Sequence, residues 1–184
     1  MSDLRRSIAF LRAINVGGHT VKMADLRAHF AALGFANVAT FIASGNVVFD
    51  APPEDARAIE QRIERQLEQA LGYAVATFIR SPGELAAVAA YQPFPSTNLA
   101  ADSALSIAFL RTEPAAEARR KLLALRTPID DFHVHGRELY WLRRTRIGES
   151  RFSGAVLEKT LGMPATIRNV TTVRKLAEKY RAPR

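Results

Sequence analysis

The sequence predicts an α+β protein of two tandem ferredoxin-like (βαββαβ) domains, each with an extra C-terminal helix, related by internal duplication. Three observations lead there. The hexapeptide Ser-Ile-Ala-Phe-Leu-Arg occurs at Ser7–Arg12 and again at Ser106–Arg111, a repeat that chance does not supply in 184 residues. The same succession of helical and extended patterns follows each copy. Each half also has the length of a small domain, roughly 80 to 90 residues.

The first hexapeptide reads as a strand. Met23–Leu33 follows as a helix, with Leu26, Phe30 and Leu33 on one face and Gly34 as its stop. Two short apolar runs, Val38–Ala43 and Val47–Phe49, are joined by Ser44-Gly45-Asn46. Gly and Asn tolerate the positive φ of a tight turn, so the runs read as a hairpin. Pro52-Pro53 opens a second helix, in which Ala56, Ile59, Ile63, Leu67 and Ala70 recur at helical spacing up to Gly72. Ala74–Arg80 is the closing strand. Ser81-Pro82-Gly83-Glu84 combines a capping Ser, Pro at the first helical position and Glu three residues on, which starts the extra helix.

The second half repeats the order. Ser106–Arg111 is its strand and Pro114–Leu125 its helix. Asp131–His135 and Glu138–Arg143 form a hairpin across Gly136-Arg137. Ser153–Leu161 is a short helix closed by Gly162, and Ala165–Arg168 is the last strand. Thr171 or Thr172 caps a final helix running to about Tyr180. Pro93, Pro95, Ser96, Thr97 and Asn98 mark a connection. The expected division is residues 1–92 for the first domain, 93–104 for a linker and 105–184 for the second. Both faces of Ile8–Leu11, Val47–Phe49 and Ile107–Leu110 are apolar, so each sheet needs cover on both sides and one compact body is expected.

Composition narrows the chemistry. Without Cys there is no disulfide, no thiolate nucleophile and no Cys-ligated zinc. No apolar run approaches the ~20 residues of a membrane span. Arg12 interrupts the apolar stretch behind Arg5-Arg6 and no small-residue cleavage site follows, so no signal peptide is expected. The expectation is a cytoplasmic monomer with no membrane contact, no cofactor and no metal.

The charge is one-sided. Residues 1–92 hold nine Lys and Arg against nine Asp and Glu, while residues 93–184 hold seventeen against nine, the entire net +8. It is densest in the loop Arg143–Arg151, which carries Arg143, Arg144, Arg146 and Arg151 and leads into the helix at Ser153. Arginines beside free backbone N–H groups at a helix start form a sound anion site. The competing interpretation is a solvated basic surface.

Other features carry less. The segment from Asn15 to Lys22 leads from strand to helix but lacks the spacing of phosphate-binding loops, and its glycines fit a turn needing positive φ. His133 and His135 share a strand face, but no third ligand stands at metal spacing. Tyr140-Trp141 sits where RNA-recognition sheets stack bases, yet adjacent residues face opposite ways and Leu139 and Leu142 flank them, so core packing is expected.

Three segments, 11–18, 21–27 and 44–49, resemble the signature of the bacterial family called domain of unknown function 1697: Leu-Arg-Ala-Ile-Asn-Val-Gly-Gly, Val-Lys-Met-Ala-Asp-Leu-Arg and Ser-Gly-Asn-Val-Val-Phe. The stretch from Ala165 to Leu176 is similar to that family's closing motif, with Val170 where members usually carry an aromatic. The resemblance implies paired ferredoxin-like domains and brings no activity, cofactor or catalytic residue with it. Within the motifs, Asn15, Gly17, Gly18 and Lys22 follow the first strand, and the Ser44-Gly45-Asn46 turn is expected at the opposite end of that sheet. Arg168 and Asn169 end the last strand of the second unit and are expected to share an end with Gly136-Arg137, and Thr171 follows them in the motif. These Asn, Ser and Thr residues either line a ligand site or serve the backbone at turns and caps.

Two function classes remain. The favoured one is a non-catalytic binding protein for an anionic ligand, nucleic acid or a phosphorylated small molecule, using Arg143, Arg144, Arg146, Arg151 and the Ser153 helix start in the basic second domain. The alternative is an enzyme acting on a small phosphorylated or carboxylated substrate in an interdomain cleft, positioned by Asn15, Lys22, Ser44, Asn46, Arg168 and Asn169. No general base or nucleophile can be named for it.

Overall fold

The structure is a computed structural model, described over residues 3–42, 45–95, 103–144 and 149–181. Ser44, Arg146 and residues 96–102 of the expected linker lie outside the described residues. The chain divides into two compact units, Met1–Leu85 with Tyr180–Arg184, and Ala86–Lys179. In order, the elements are β1 (Arg5–Leu11), α1 (Met23–Ala32), β2 (Ala36–Thr40), β3 (Asn46–Ala51), α2 (Ala56–Leu71), β4 (Thr77–Arg80) and α3 (Pro82–Ala90). They continue as β5 (Ala104–Leu110), α4 (Ala116–Leu123), β6 (Asp130–His135), β7 (Glu138–Arg143), α5 (Gly154–Leu161), β8 (Ala165–Asn169) and α6 (Val170–Lys179).

The result is an α+β architecture with two four-stranded antiparallel sheets, ordered β2-β3-β1-β4 and β6-β7-β5-β8. The two hexapeptides occupy matching register positions. Ile8 faces Val48 and Arg80 across its neighbours, as Ile107 faces Tyr140 and Arg168. Ala9 and Leu11 join Val47, Phe49 and Ile79 with Leu26, Phe30, Ile59, Ile63 and Leu67 in the first core. Ala108 and Leu110 join Leu139 and Trp141 with Leu122, Leu157 and Leu161 in the second. Strand alternation sends Ile8, Phe10 and Phe78, and in the second sheet Ile107, Phe109 and Tyr140, to the opposite faces, where they are buried too. No helix among the described residues is long and apolar enough to cross a membrane.

Local chemistry explains the ends. Pro52-Pro53 does not open α2; the N-cap is Asp55, whose carboxylate accepts from the amides of Arg57 and Ala58 at 3.0 and 3.3 Å. Likewise Asn169, not Thr171 or Thr172, caps α6, its Oδ1 accepting from the Thr171 amide at 2.8 Å. At α3, the amide of Ser81 donates to Glu84 Oε2 at 2.8 Å and the amide of Glu84 donates to Ser81 Oγ at 3.2 Å, a closed capping box. The outer edge of β4 is occupied from α2: the amides of Ile79 and Thr77 donate to Glu60 and Glu64 at 2.9 and 3.0 Å. In the second unit the Ala165 amide donates to Glu158 at 2.9 Å.

Candidate functional site

Antiparallel pairing decides which motif residues meet. Because β3 runs against β1, its start lies beside the end of β1: Phe10 pairs with Asn46, and the Leu11 amide donates to the Gly45 carbonyl at 2.8 Å. The turn before β3 therefore shares an end with the loop after β1, correcting the expectation that it lies opposite Asn15, Gly17 and Gly18. The same pairing corrects the second unit. Leu110, at the end of β5, bonds to Arg137 at 2.9 Å and faces Ala165, while Asn169 faces Ser106 at the start of β5. Asn169 and Thr171 thus lie away from Gly136-Arg137, towards the end that holds Arg143, while Arg168 faces Ile107 in the middle of β5.

At the first of these ends the polar side chains serve the backbone. Asn15, at φ +59°, accepts through Oδ1 from the Val21 amide. Asn46 is buried and donates through Nδ2 to the Phe41 carbonyl at 3.0 Å. Gly17, Gly18 and Gly45 all have positive φ, as do Ala13 and Ile42. Side chains strongly disfavour that region, so the segment concentrates backbone strain. Lys22 precedes α1 without capping it. Val16 and Ile42 are among the few exposed large apolar side chains of the described residues, at 61% and 53%.

At the second end, arginines and carboxylates interlock. Asp131 receives Arg126 Nε at 2.9 Å and Arg144 Nη2 at 3.0 Å. Asp130 is buried and accepts from Trp141 Nε1 at 2.7 Å and from Ser150 Oγ at 2.7 and 2.9 Å. Arg143 lies over the Trp141 ring, 5.6 Å from its centroid. Ser153 caps α5 by accepting from the Val156 amide at 3.3 Å. Arg151 is exposed and has no hydrogen bond or ion pair among the described residues. It borders a recess of about 620 Å3 walled by Leu125, Pro128, Ile129, Phe152 and Val156, with Glu149 and Asp130 also on its lining. Arg168 is buried, donates to Thr166 Oγ1 at 2.7 Å and to the Ile167 carbonyl at 3.0 Å, and burial pulls its pKa down to about 10. It stays charged at neutral pH. Sequence reasoning missed Arg126 and both aspartates, because only folding brings residues 126–131 against Arg144 and Ser150.

The histidine pair lies on β6. His135 stacks on Tyr91 at 4.1 Å, and the Tyr91 hydroxyl is 2.9 Å from His133 Nε2. Among the described residues no group of His, Asp or Glu has the geometry to hold a metal ion.

With this geometry in place, comparison supplies kinship. A family model described as "Protein of unknown function (DUF1697)" matches residues 4–140. The chain belongs to this family. The match covers all the elements from β1 to α4, with β6 and the start of β7, and stops ahead of the arginine loop. Among solved structures, the chain is similar to the conserved bacterial protein SP0830 from Streptococcus pneumoniae, at 22% identity and a TM-score of 0.71, over 96% of this chain and 98% of that one. That likeness is one of fold. No curated protein matches the chain at a significant level.

Proposed function

We propose that this chain is a non-catalytic protein that binds nucleic acid phosphates through the basic end of its second unit. The observation behind the proposal is the strand register, in which Arg143 and Asn169 fall at the same end of the second sheet and Arg144 follows directly in the chain. Of the nearby carboxylates, Asp131 is paired with Arg126 and Arg144, and Asp130 is buried and bonded to Trp141 and Ser150. Exposed Arg151, on the rim of its recess, adds a second site of positive charge, as contact with a repeating phosphate backbone requires. Asn15, Asn46 and Asn169 each spend a side-chain hydrogen bond on a backbone group, which gives the enzymatic alternative less support from these three residues.

The test is fluorescence anisotropy of labelled single- and double-stranded oligonucleotides across a salt series. Binding should weaken with salt at a slope of roughly −0.7 to −0.9 per phosphate neutralised, and the double variant Arg143→Glu with Arg151→Glu should abolish it. Absence of binding at low salt, or binding that the variant leaves intact, would sink the proposal.

We also infer that the units are ferredoxin-like domains descended from one duplicated segment. The support is that β3 separates β1 from β2 in the sheet, as β7 separates β5 from β6, with Ile8 and Ile107 in matching positions. An experimental structure placing these two isoleucines in unlike registers would end that inference.

A further inference from the structure

A recess of about 540 Å3 opens in the first unit, and Arg5, Arg6 and Arg181 line it against one carboxylate, Asp50. Leu4 and Pro82 provide an apolar wall. Arg6 is held in place. Its Nε and Nη2 donate to Asp50 at 2.9 and 3.2 Å, and its guanidinium carbon lies 6.0 Å from the centroid of the Tyr180 ring, beside Arg181. Asp50 also accepts from Asn37 Nδ2 at 2.8 Å, so this carboxylate is spent on anchoring. A guanidinium has five N–H donors, and Asp50 takes two of those on Arg6. Arg5 has a long ion pair of 3.9 Å with exposed Asp3, which a better anion would displace. Arg181 is exposed and has no hydrogen bond or ion pair among the described residues. The start of α3 borders the recess, but its capping box occupies the Ser81 and Glu84 amides, so the guanidinium groups dominate the chemistry.

We infer that this recess binds a small phosphomonoester. Three guanidinium groups against one carboxylate leave an excess of two positive charges. A phosphomonoester carries about −1.5 to −2 at pH 7 and presents oxygens that arginine forks pair with directly. The volume lies within the roughly 300–1,000 Å3 of small-molecule sites, and the wall of Leu4 and Pro82 takes the organic part of the ligand. A phosphodiester, with a single charge, satisfies only half of the excess. This site belongs to the first unit and is independent of the basic end of the second.

The test is calorimetric titration of the full chain with phenyl phosphate at low salt. One equivalent should bind saturably, and Arg5→Ala with Arg181→Ala should weaken it at least about tenfold, which is about 1.4 kcal/mol. Dimethyl phosphate should bind at least about tenfold more weakly than phenyl phosphate. Arg143→Glu with Arg151→Glu should leave the titration unchanged, which separates this site from the nucleic-acid surface. Arg5 and Arg181 are exposed, so the variant should melt like the parent. The inference is overturned if phenyl phosphate does not saturate the site, if the Arg5 and Arg181 variant binds it normally, or if the diester binds equally well. Tighter binding of an oligonucleotide 5′-phosphate than of phenyl phosphate would overturn the small-molecule assignment.

Discussion

The amide of Leu11 donates to the carbonyl of Gly45 across 2.8 Å, tying the turn before β3 to the end of β1. Leu110 makes the equivalent bond to Arg137 at 2.9 Å. Both leucines are the fifth residue of the repeated hexapeptide, so one short sequence carries the same tertiary bond in both units.

The turn is tight for any side chain at Gly45. A Cβ on Gly45 would lie 3.2 Å from Leu11 Cβ and 3.3 Å from the Leu11 carbonyl oxygen, at a φ of +76°. Left-handed backbone alone costs an L-residue about 1–2 kcal/mol. Gly45→Ala is expected to lower stability by about 2–3 kcal/mol, seen as a lower urea midpoint with an unchanged slope. An unshifted midpoint would mean that the turn is not pinned as described.

The hydrogen bond from Arg6 is the main cause holding the Asp50 carboxyl below its ordinary 3.8. A carboxylate with a lowered folded-state pKa stabilises fully above the unfolded value and loses that contribution as pH falls through the folded one. Asp50→Asn should therefore cost about 1 kcal/mol at pH 7, a figure reduced because the Arg6 side chain is 44% exposed. The penalty should shrink below pH 3.8. Denaturant titrations of both proteins at pH 7 and pH 3 provide the check; equal penalties at both would contradict it.

Glu60 is buried and accepts from the Ile79 amide at 2.9 Å while pairing with Arg57 at 3.3 Å. Glu60→Ala strands a buried donor, a loss of about 1–3 kcal/mol. Glu60→Gln keeps an acceptor and should cost less. Amide exchange at Ile79 reads this directly, accelerating in the alanine variant beyond any global change in stability.

Burial is the main cause pushing His133 below its ordinary 6.5, with the positive charges of His135, Arg119 and Arg126 adding to it and Asp131 opposing. The unfolded chain therefore takes up the proton first. Stability should fall as pH drops from 6.5 towards the folded value, and above 6.5 it should stay flat with respect to this group. Imidazole NMR should place the His133 transition below 6.5. A transition above that value would reverse the sign.

Periodicity and turn chemistry made most of the fold legible. Glu138–Arg143 is the β7 strand itself, and Ser81 and Glu84 close the capping box that their spacing announces. Asp55 and Asn169 were harder to read because prolines and threonines nearby compete as start signals, and geometry alone picks the carboxylate or amide that reaches the right N–H. The candidate sites were less legible. The expected ends for Gly45 and Asn169 overlooked strand direction: a strand that follows a crossing helix returns parallel to the one before it. The turn before β3 therefore falls where β1 finishes, and β8 ends beside the start of β5, as the register shows. The recess that joins Arg5 to Arg181 is set by tertiary closure between nearly opposite ends of the chain, which no local pattern encodes.

The glutamates along β4 have one more consequence. A strand whose outward amides are already engaged cannot template another chain, so the first sheet can be extended only beside β2. If two copies paired β2 to β2, the joined sheet would end in a blocked β4 on both sides. Such an encounter through this sheet terminates at two molecules and cannot propagate into a fibre.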